Sequence, residues 1–101
     1  MKIKELTKDT KILIIGLGVI GGSYATSLTK QGYNVSCITK DPEDIEYAYN
    51  HGIIKYGTTE IDESLIRHAD LIVFALYPTV FIDWIREHGH LISSGTLITD
   101  V

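Results

Sequence analysis

The sequence predicts an α/β fold, a doubly wound parallel sheet with helices on both faces. Three observations predict it. Short, continuously apolar runs recur, as in Lys11–Ile15 and Leu71–Leu76, and a strand reads that way when both of its faces are covered. Segments with helical spacing and clear start signals alternate with these runs, the pattern of right-handed strand–helix–strand crossovers. A cluster of glycines, Gly16, Gly18, Gly21 and Gly22, stands where the first run meets the first helical segment.

Taken in order, Lys11–Ile15 is the first strand. Ile20, Tyr24 and Leu28 follow at helical spacing, and Gly32 closes that helix as a C-terminal cap. Asn34–Ile38 is the second strand. Asp41-Pro42-Glu43-Asp44 is a strong helix start: a capping Asp, a proline at the first helical position and acids in the first turn. Ile45, Ala48 and Tyr49 give that helix its apolar face, and Gly52 ends it. Ile53–Thr58 holds a short third strand, weakened by Gly57; Asp62–Ala69 is a short helix with Leu65, Ile66 and Ala69 facing inward. Leu71–Leu76 is the clearest buried strand. Pro78-Thr79 opens a helix with Phe81, Ile85 and His88 on one face and Gly89 near its end. Ser93-Ser94-Gly95 is a turn, and Thr96–Val101 is the last strand.

Size and composition bound the rest. A chain of 101 residues holds one domain at most. A formal net charge of -4 argues against nucleic acid as a partner, because phosphate binding wants a basic surface. Lys2, Lys4, Lys8 and Lys11 cluster early and mark residues 1–10 as a solvated N-terminal tail ahead of a domain spanning residues 11–101. Cys37 is the single cysteine, so no disulfide forms within the chain and a cytoplasmic setting is expected. No stretch is long and apolar enough to span a membrane.

Ligands in open parallel sheets sit beyond the C-terminal ends of the strands, which directs attention to Gly16–Gly22, Thr39–Asp41, Leu76–Thr79 and Asp100. Gly16-Leu17-Gly18-Val19-Ile20-Gly21 is G-x-G-x-x-G. Alone, the pattern arises by accident in roughly 3% of chains this long. Its place directly after a strand and at the head of a helix makes it the fingerprint of a Rossmann-type dinucleotide site. Gly16 lets the chain turn off the strand, Gly18 admits a pyrophosphate to the backbone, and Gly21 lets the helix pack on the first strand. The amides of Val19 and Ile20 then face the anion.

About twenty residues on, NAD sites carry an acid that binds the adenosine ribose. Here Thr39 stands at that position, followed by the cation Lys40. A carboxylate would repel the 2'-phosphate of NADP; a hydroxyl and a cation do not. The pair favours NADP, or use of both cofactors, over strict NAD. Asp41 is better used as the cap of the next helix.

These residues resemble the prephenate and arogenate dehydrogenases of tyrosine biosynthesis. "ILIIGLGVIGGS" at Ile12–Ser23 carries the likeness, with "GYNV" at Gly32–Val35, "DPEDIEYAYNHGII" at Asp41–Ile54, "GTT" at Gly57–Thr59, "ADLIVFALYP" at Ala69–Pro78 and "GTLITDV" at Gly95–Val101. The resemblance covers nearly the whole chain after the first ten residues. It implies oxidative decarboxylation with hydride transfer to NAD(P), strand order 3-2-1-4-5, and a pyrophosphate turn of Gly16, Gly18 and Gly21 with the amides of Leu17, Val19 and Ile20. It places Thr39 and Lys40 at the ribose and Leu76, Tyr77 and Pro78 along the nicotinamide side, and it gives Asp100 a part in ordering the next loop. It also implies that the family's catalytic His, its substrate-contacting Ser and its helical substrate and dimerisation domain lie beyond Val101. On this reading the chain is truncated after the fifth strand, binds dinucleotide, holds no catalytic residue and turns over nothing; the small-molecule substrate and the homodimer belong to the full-length parent. Other hydroxyacid and imine reductases share the glycine turn, and a stand-alone nucleotide-sensing module is the reading from another class.

His51, His68, His88 and His90 tempt a metal or catalytic reading, but no third ligand stands at metal spacing around His88-Gly89-His90. Trp84 and Phe81 read as packing residues. Thr96–Val101, as an apolar edge strand, invites pairing with a second copy of the chain.

Overall fold

The computed structural model describes residues 7 and 9–101; Lys2, Lys4 and Lys8 of the expected basic tail lie outside the described residues. Five strands form one sheet: β1 (Lys11–Ile15), β2 (Asn34–Ile38), β3 (Tyr56–Thr58), β4 (Leu71–Phe74) and β5 (Leu97–Asp100). The helices between them are α1 (Gly18–Lys30), α2 (Pro42–Asn50), α3 (Glu63–His68) and α4 (Pro78–His88), the last continued by a 3₁₀ turn at Gly89–Leu91. All four pairings are parallel, in the order β3-β2-β1-β4-β5. The chain winds outward from β1 to β3, then returns to the other side of β1 to lay down β4 and β5. That reversal puts a crevice between the C-terminal ends of β1 and β4.

The pleat sorts each central strand between two cores. Ile12, Ile14, Val35, Cys37 and Val73 face α1 and α2, packing with Ala25 and Ala48. Leu13, Ile15, Ile38, Ile72 and Phe74 face α3 and α4, packing with Ile66 and Leu91. Phe74 lies at the centre of the second layer, edge-on to Phe81 (centroids 4.9 Å apart) and Trp84 (5.1 Å). Phe81 and Trp84 are therefore packing residues, as their spacing implied.

Helix ends follow the sequence signals. Asp41 caps α2 by accepting from the Glu43 amide at 2.9 Å, with Pro42 at the first helical position. Asp62 caps α3, accepting from the Leu65 amide at 3.0 Å. Gly32 and Gly52 adopt positive φ (93° and 67°) just past α1 and α2, the left-handed stop expected of them.

Three details go beyond the sequence reading. The buried face of α1 is Gly21 and Ala25, with Leu28 half-buried; Ile20 and Tyr24 point to solvent. Helical spacing alone does not say which stripe faces the sheet, and this helix sits so close that only its smallest residues fit beneath it. The short third strand expected within Ile53–Thr58 takes its last three residues, Tyr56–Thr58, because the Ile53 and Ile54 amides both bond the Ala48 carbonyl and complete the end of α2. Gly57 has a packing reason in β3. A Cβ there would stand 2.8 Å from Ile45 Cγ2 and 2.9 Å from Ile54 Cδ1, so its missing side chain is what lets α2 pack over the strand.

Cys37 is fully buried, and burial first, with the Asp44 carboxylate second, pushes its thiol up to about 12. The raised value favours the protonated thiol in the folded state. This contribution to stability is complete below the ordinary thiol range and is lost as pH rises toward about 12. At pH 8, iodoacetamide is expected to modify native Cys37 on the order of 100-fold or more slowly than the urea-unfolded chain. Mass spectrometry of timed aliquots measures both rates; equal rates would contradict the burial.

Candidate functional site

The site begins with a backbone constraint. After Ile15 the chain turns at Gly16, whose φ is +83° and whose amide donates to the Ile38 carbonyl at 2.8 Å. A Cβ on Gly16 would lie 2.5 Å from the Ala75 carbonyl oxygen and 2.8 Å from Leu76 Cδ2. The turn is thus pressed against the loop leaving β4, and only glycine fits. Gly18 is different: its φ is +57°, but a Cβ there would meet nothing within 4 Å. The space in front of Gly18 is open, as a backbone that receives a ligand requires. Gly21 is buried, and its close neighbours are the Gly16 carbonyl and Ala75 Cβ, both 3.1 Å from a built Cβ. It fits the helix against the end of β1, and against the β4 loop as well.

The first helical hydrogen bond of α1 runs from the Gly21 amide to the Leu17 carbonyl at 2.8 Å. The amides of Leu17, Gly18, Val19 and Ile20 therefore have no partner within the helix. No side chain caps this end, and no acid stands in its first turn. The same holds for α4, whose N-terminus at Tyr77-Pro78 has neither a side-chain cap nor a first-turn acid. By contrast α2 and α3 have both. The two helices with uncompensated positive ends are the two that flank the crevice between β1 and β4, which suits an anion lying across it.

The remaining sequence-predicted residues lie at or just after the C-terminal ends of β2, β4 and β5. Thr39 follows β2, half-buried, held by its amide to the Thr58 carbonyl at 3.1 Å. Lys40 is exposed, and among the described residues no carboxylate forms an ion pair with it. Asp41 is committed to the α2 cap, accepting from the Glu43 amide. Leu76 lies against Gly16, and Tyr77 and Pro78 form the exposed start of α4. Asp100 lies exposed at the end of β5, in register with Phe74.

Ala75 is a site residue that sequence reasoning passed over. It bonds the end of β1, amide to Ile15 carbonyl at 2.8 Å, and bounds both Gly16 and Gly21. Its signal was present: it is the one small residue in the run Leu71–Leu76. Three of the four histidines have local partners. His51 stacks on Tyr47, His68 bonds the Ser64 carbonyl, and His88 lies beside Trp84 and Glu87. Among the described residues no three His, Cys, Asp or Glu side chains gather as metal ligands. No helix among them is long and apolar enough to cross a membrane. An open groove of about 750 Å³ runs between α1 and α2, sharing Leu17, Gly18, Val19 and Gly22 with the glycine cluster. It lies on a helix face rather than over the strand ends, and holds none of Thr39, Lys40, Leu76 or Tyr77.

This fold and this turn define a nucleotide-binding domain of the Rossmann class. Residues 11–101 match the family described as NADP oxidoreductase, coenzyme F420-dependent, and the chain belongs to that family. It is 33% identical over 92 residues to the prephenate dehydrogenase of Lactococcus lactis subsp. cremoris, a match covering 89% of this chain and 25% of that protein. The Aquifex aeolicus prephenate dehydrogenase, solved with hydroxyphenyl propionate and NAD+, superposes with a TM-score of 0.83 at 30% identity, covering 96% of this chain and 34% of that one. The Synechocystis arogenate dehydrogenase shares the fold, with a TM-score of 0.82 at 24% identity over 91% of this chain and 32% of that one. The chain thus spans a quarter to a third of the length of these oxidoreductases.

The two glycines separate packing from ligand access. Gly16→Ala is expected to lower the unfolding free energy by about 3 kcal/mol, combining the positive φ with the clash on Ala75. Gly18→Ala carries the backbone penalty alone, about 1 kcal/mol. Urea denaturation of both variants checks the order; equal costs would contradict it.

Proposed function

We propose that this chain binds NADP or NAD across the crevice between β1 and β4, and serves as the cofactor-binding part of a dehydrogenase acting on prephenate or arogenate. The observation that carries the reading is the pairing of an open glycine turn with two uncapped helix ends over one crevice. The residues fit the cofactor: the amides of Leu17, Gly18, Val19 and Ile20 bind the pyrophosphate, Gly16 and Gly21 hold the turn, Thr39 and Lys40 meet the adenosine ribose, and Leu76, Tyr77 and Pro78 line the nicotinamide side. When bound, the dinucleotide supplies the hydride acceptor for the ring carbon bearing the substrate hydroxyl, and carbon dioxide leaves as the ring becomes aromatic. This chain's own part is to bind and orient. None of its residues is assigned to proton transfer or substrate contact.

For the choice of cofactor, the commitment of Asp41 to the α2 cap removes the nearby acid from the ribose and leaves Thr39 and Lys40 to face the 2' position. That supports NADP or dual use over strict NAD. A single buried cysteine suits a reducing, cytoplasmic setting. Assembly of the whole enzyme as a homodimer is part of the same reading.

Two experiments test it. Isothermal titration of NADP and NAD against wild type and Thr39→Asp is expected to show the preference moving toward NAD by about tenfold, the size of one lost charge-assisted contact. An unchanged ratio would remove Thr39 from the site. The second concerns β5, where every residue is exposed and Ile98 is 49% accessible on an edge bonded on one side only. Light scattering is expected to show self-association of the chain at high concentration, abolished by Ile98→Lys. Association that survives the charge would place the contact elsewhere.

A further inference from the structure

At the opposite end of the sheet from the crevice, the first residues of β1 and β2 floor a depression of about 470 Å³ beside α3. Its chemistry is unlike that of the sheet around it. Past their first residues, the central strands β1, β2 and β4 are apolar throughout except at Ser36. Ser36 is half-buried, stands opposite Leu13, and shares its face of the sheet with Asn34. Both line the depression, and neither side chain bonds a protein group among the described residues. Hydroxyls elsewhere are put to use: Thr29, Ser93 and Thr96 each donate to a carbonyl distant in the chain, at 2.6, 2.6 and 2.8 Å. A polar side chain set into a sheet without a protein partner is satisfied by water or by a ligand.

Two cations flank this pair. Lys11, two residues before Leu13, is in register with Asn34 on one side of β2. Lys55 stands on the other side, its amide donating to the Val35 carbonyl at 2.8 Å. With neighbouring strands about 4.8 Å apart, the two lysine backbones are separated by roughly 10 Å. Both lysines line the depression, and neither pairs with a carboxylate among the described residues. The one acid in the lining, Asp62, already caps α3 through the Leu65 amide at 3.0 Å. In a chain of net charge -4 this is a local reversal of sign. Leu13 and Leu65 add apolar surface to the same depression.

We propose that this depression binds a small organic acid. The carboxylate lies between Lys11 and Lys55 over Asn34 and Ser36, and the apolar body lies against Leu13 and Leu65. The volume is in the range of small-molecule sites. A cation would face two ammonium groups, and an inorganic anion would leave the leucines uncovered. The site stands at the N-terminal ends of the strands, so it does not depend on the dinucleotide reading.

Amide NMR spectra of the chain, titrated with benzoate, benzamide and inorganic phosphate, test the site. Benzamide keeps the ring and loses the charge; phosphate keeps a negative charge and loses the apolar body. Benzoate is expected to give saturable shifts at the amides of Leu13, Ser36, Leu65 and His68, and neither control is expected to do so at the same concentration. Lys11→Gln and Lys55→Gln are each expected to weaken benzoate about 3-fold, the size of one partly exposed charge contact. Both lysines are exposed, so neither change disturbs the core. Absence of saturation, an equal response to benzamide or phosphate, or unchanged affinity in both variants would each overturn the proposal. Shifts confined to the glycine turn would place the acid in the cofactor crevice and overturn it as well.

Discussion

The contact on which the rest of the structure depends is that between Gly16 and the Ala75 carbonyl. There the backbone leaving β1 and the backbone leaving β4 come so close that no side chain can stand between them. The approach follows from the sheet. β1 and β4 are hydrogen-bonded neighbours, and their pairing runs through Ile15 opposite Phe74 and on to the Ala75 amide. The two chains must therefore diverge at once, one into α1 and one into α4, on opposite faces. Glycine at 16 and alanine at 75 make that divergence possible, and the crevice is its consequence.

Around that point the helix ends divide into two kinds. Where a helix starts away from the crevice, an aspartate caps it and acids follow, as at Asp41 and Asp62. Where a helix starts at the crevice, the cap and the acids are both missing. Leaving backbone donors unpaired costs stability locally, of the order of 1 kcal/mol for a missing cap. Retaining that cost at two adjacent ends is what an anion-binding crevice demands.

Much of this was legible in the sequence. The strands at Lys11–Ile15 and Asn34–Ile38 keep their limits, because an apolar run bounded by turn residues has few other ways to fold. The caps at Asp41 and Asp62 and the stops at Gly32 and Gly52 are local chemistry, readable from neighbours within one turn. The buried stripe of α1 was not. Ile20 and Tyr24 are larger than Gly21 and Ala25, but the close approach of the helix to the sheet selected the small pair. Ala75 and Gly57 were missed or misjudged for the same reason: their importance lies in atoms they lack, and those atoms matter only once Gly16, Ile45 and Ile54 are brought alongside.

The sequence by itself determined the order of elements, the glycine turn and the absence of an acid at position 39, directly after β2, because each depends on residue type and spacing along the chain. Tertiary structure decided which glycine is closed and which is open. Gly16 and Gly18 carry the same residue and both have positive φ, yet Ala75 fills the space beside one and nothing fills the space beside the other. It also decided that Tyr77 stands exposed and unstacked at the head of α4. A side chain's partners are set by what long-range pairing brings within a few ångströms, and that pairing joins strands about sixty residues apart in the chain.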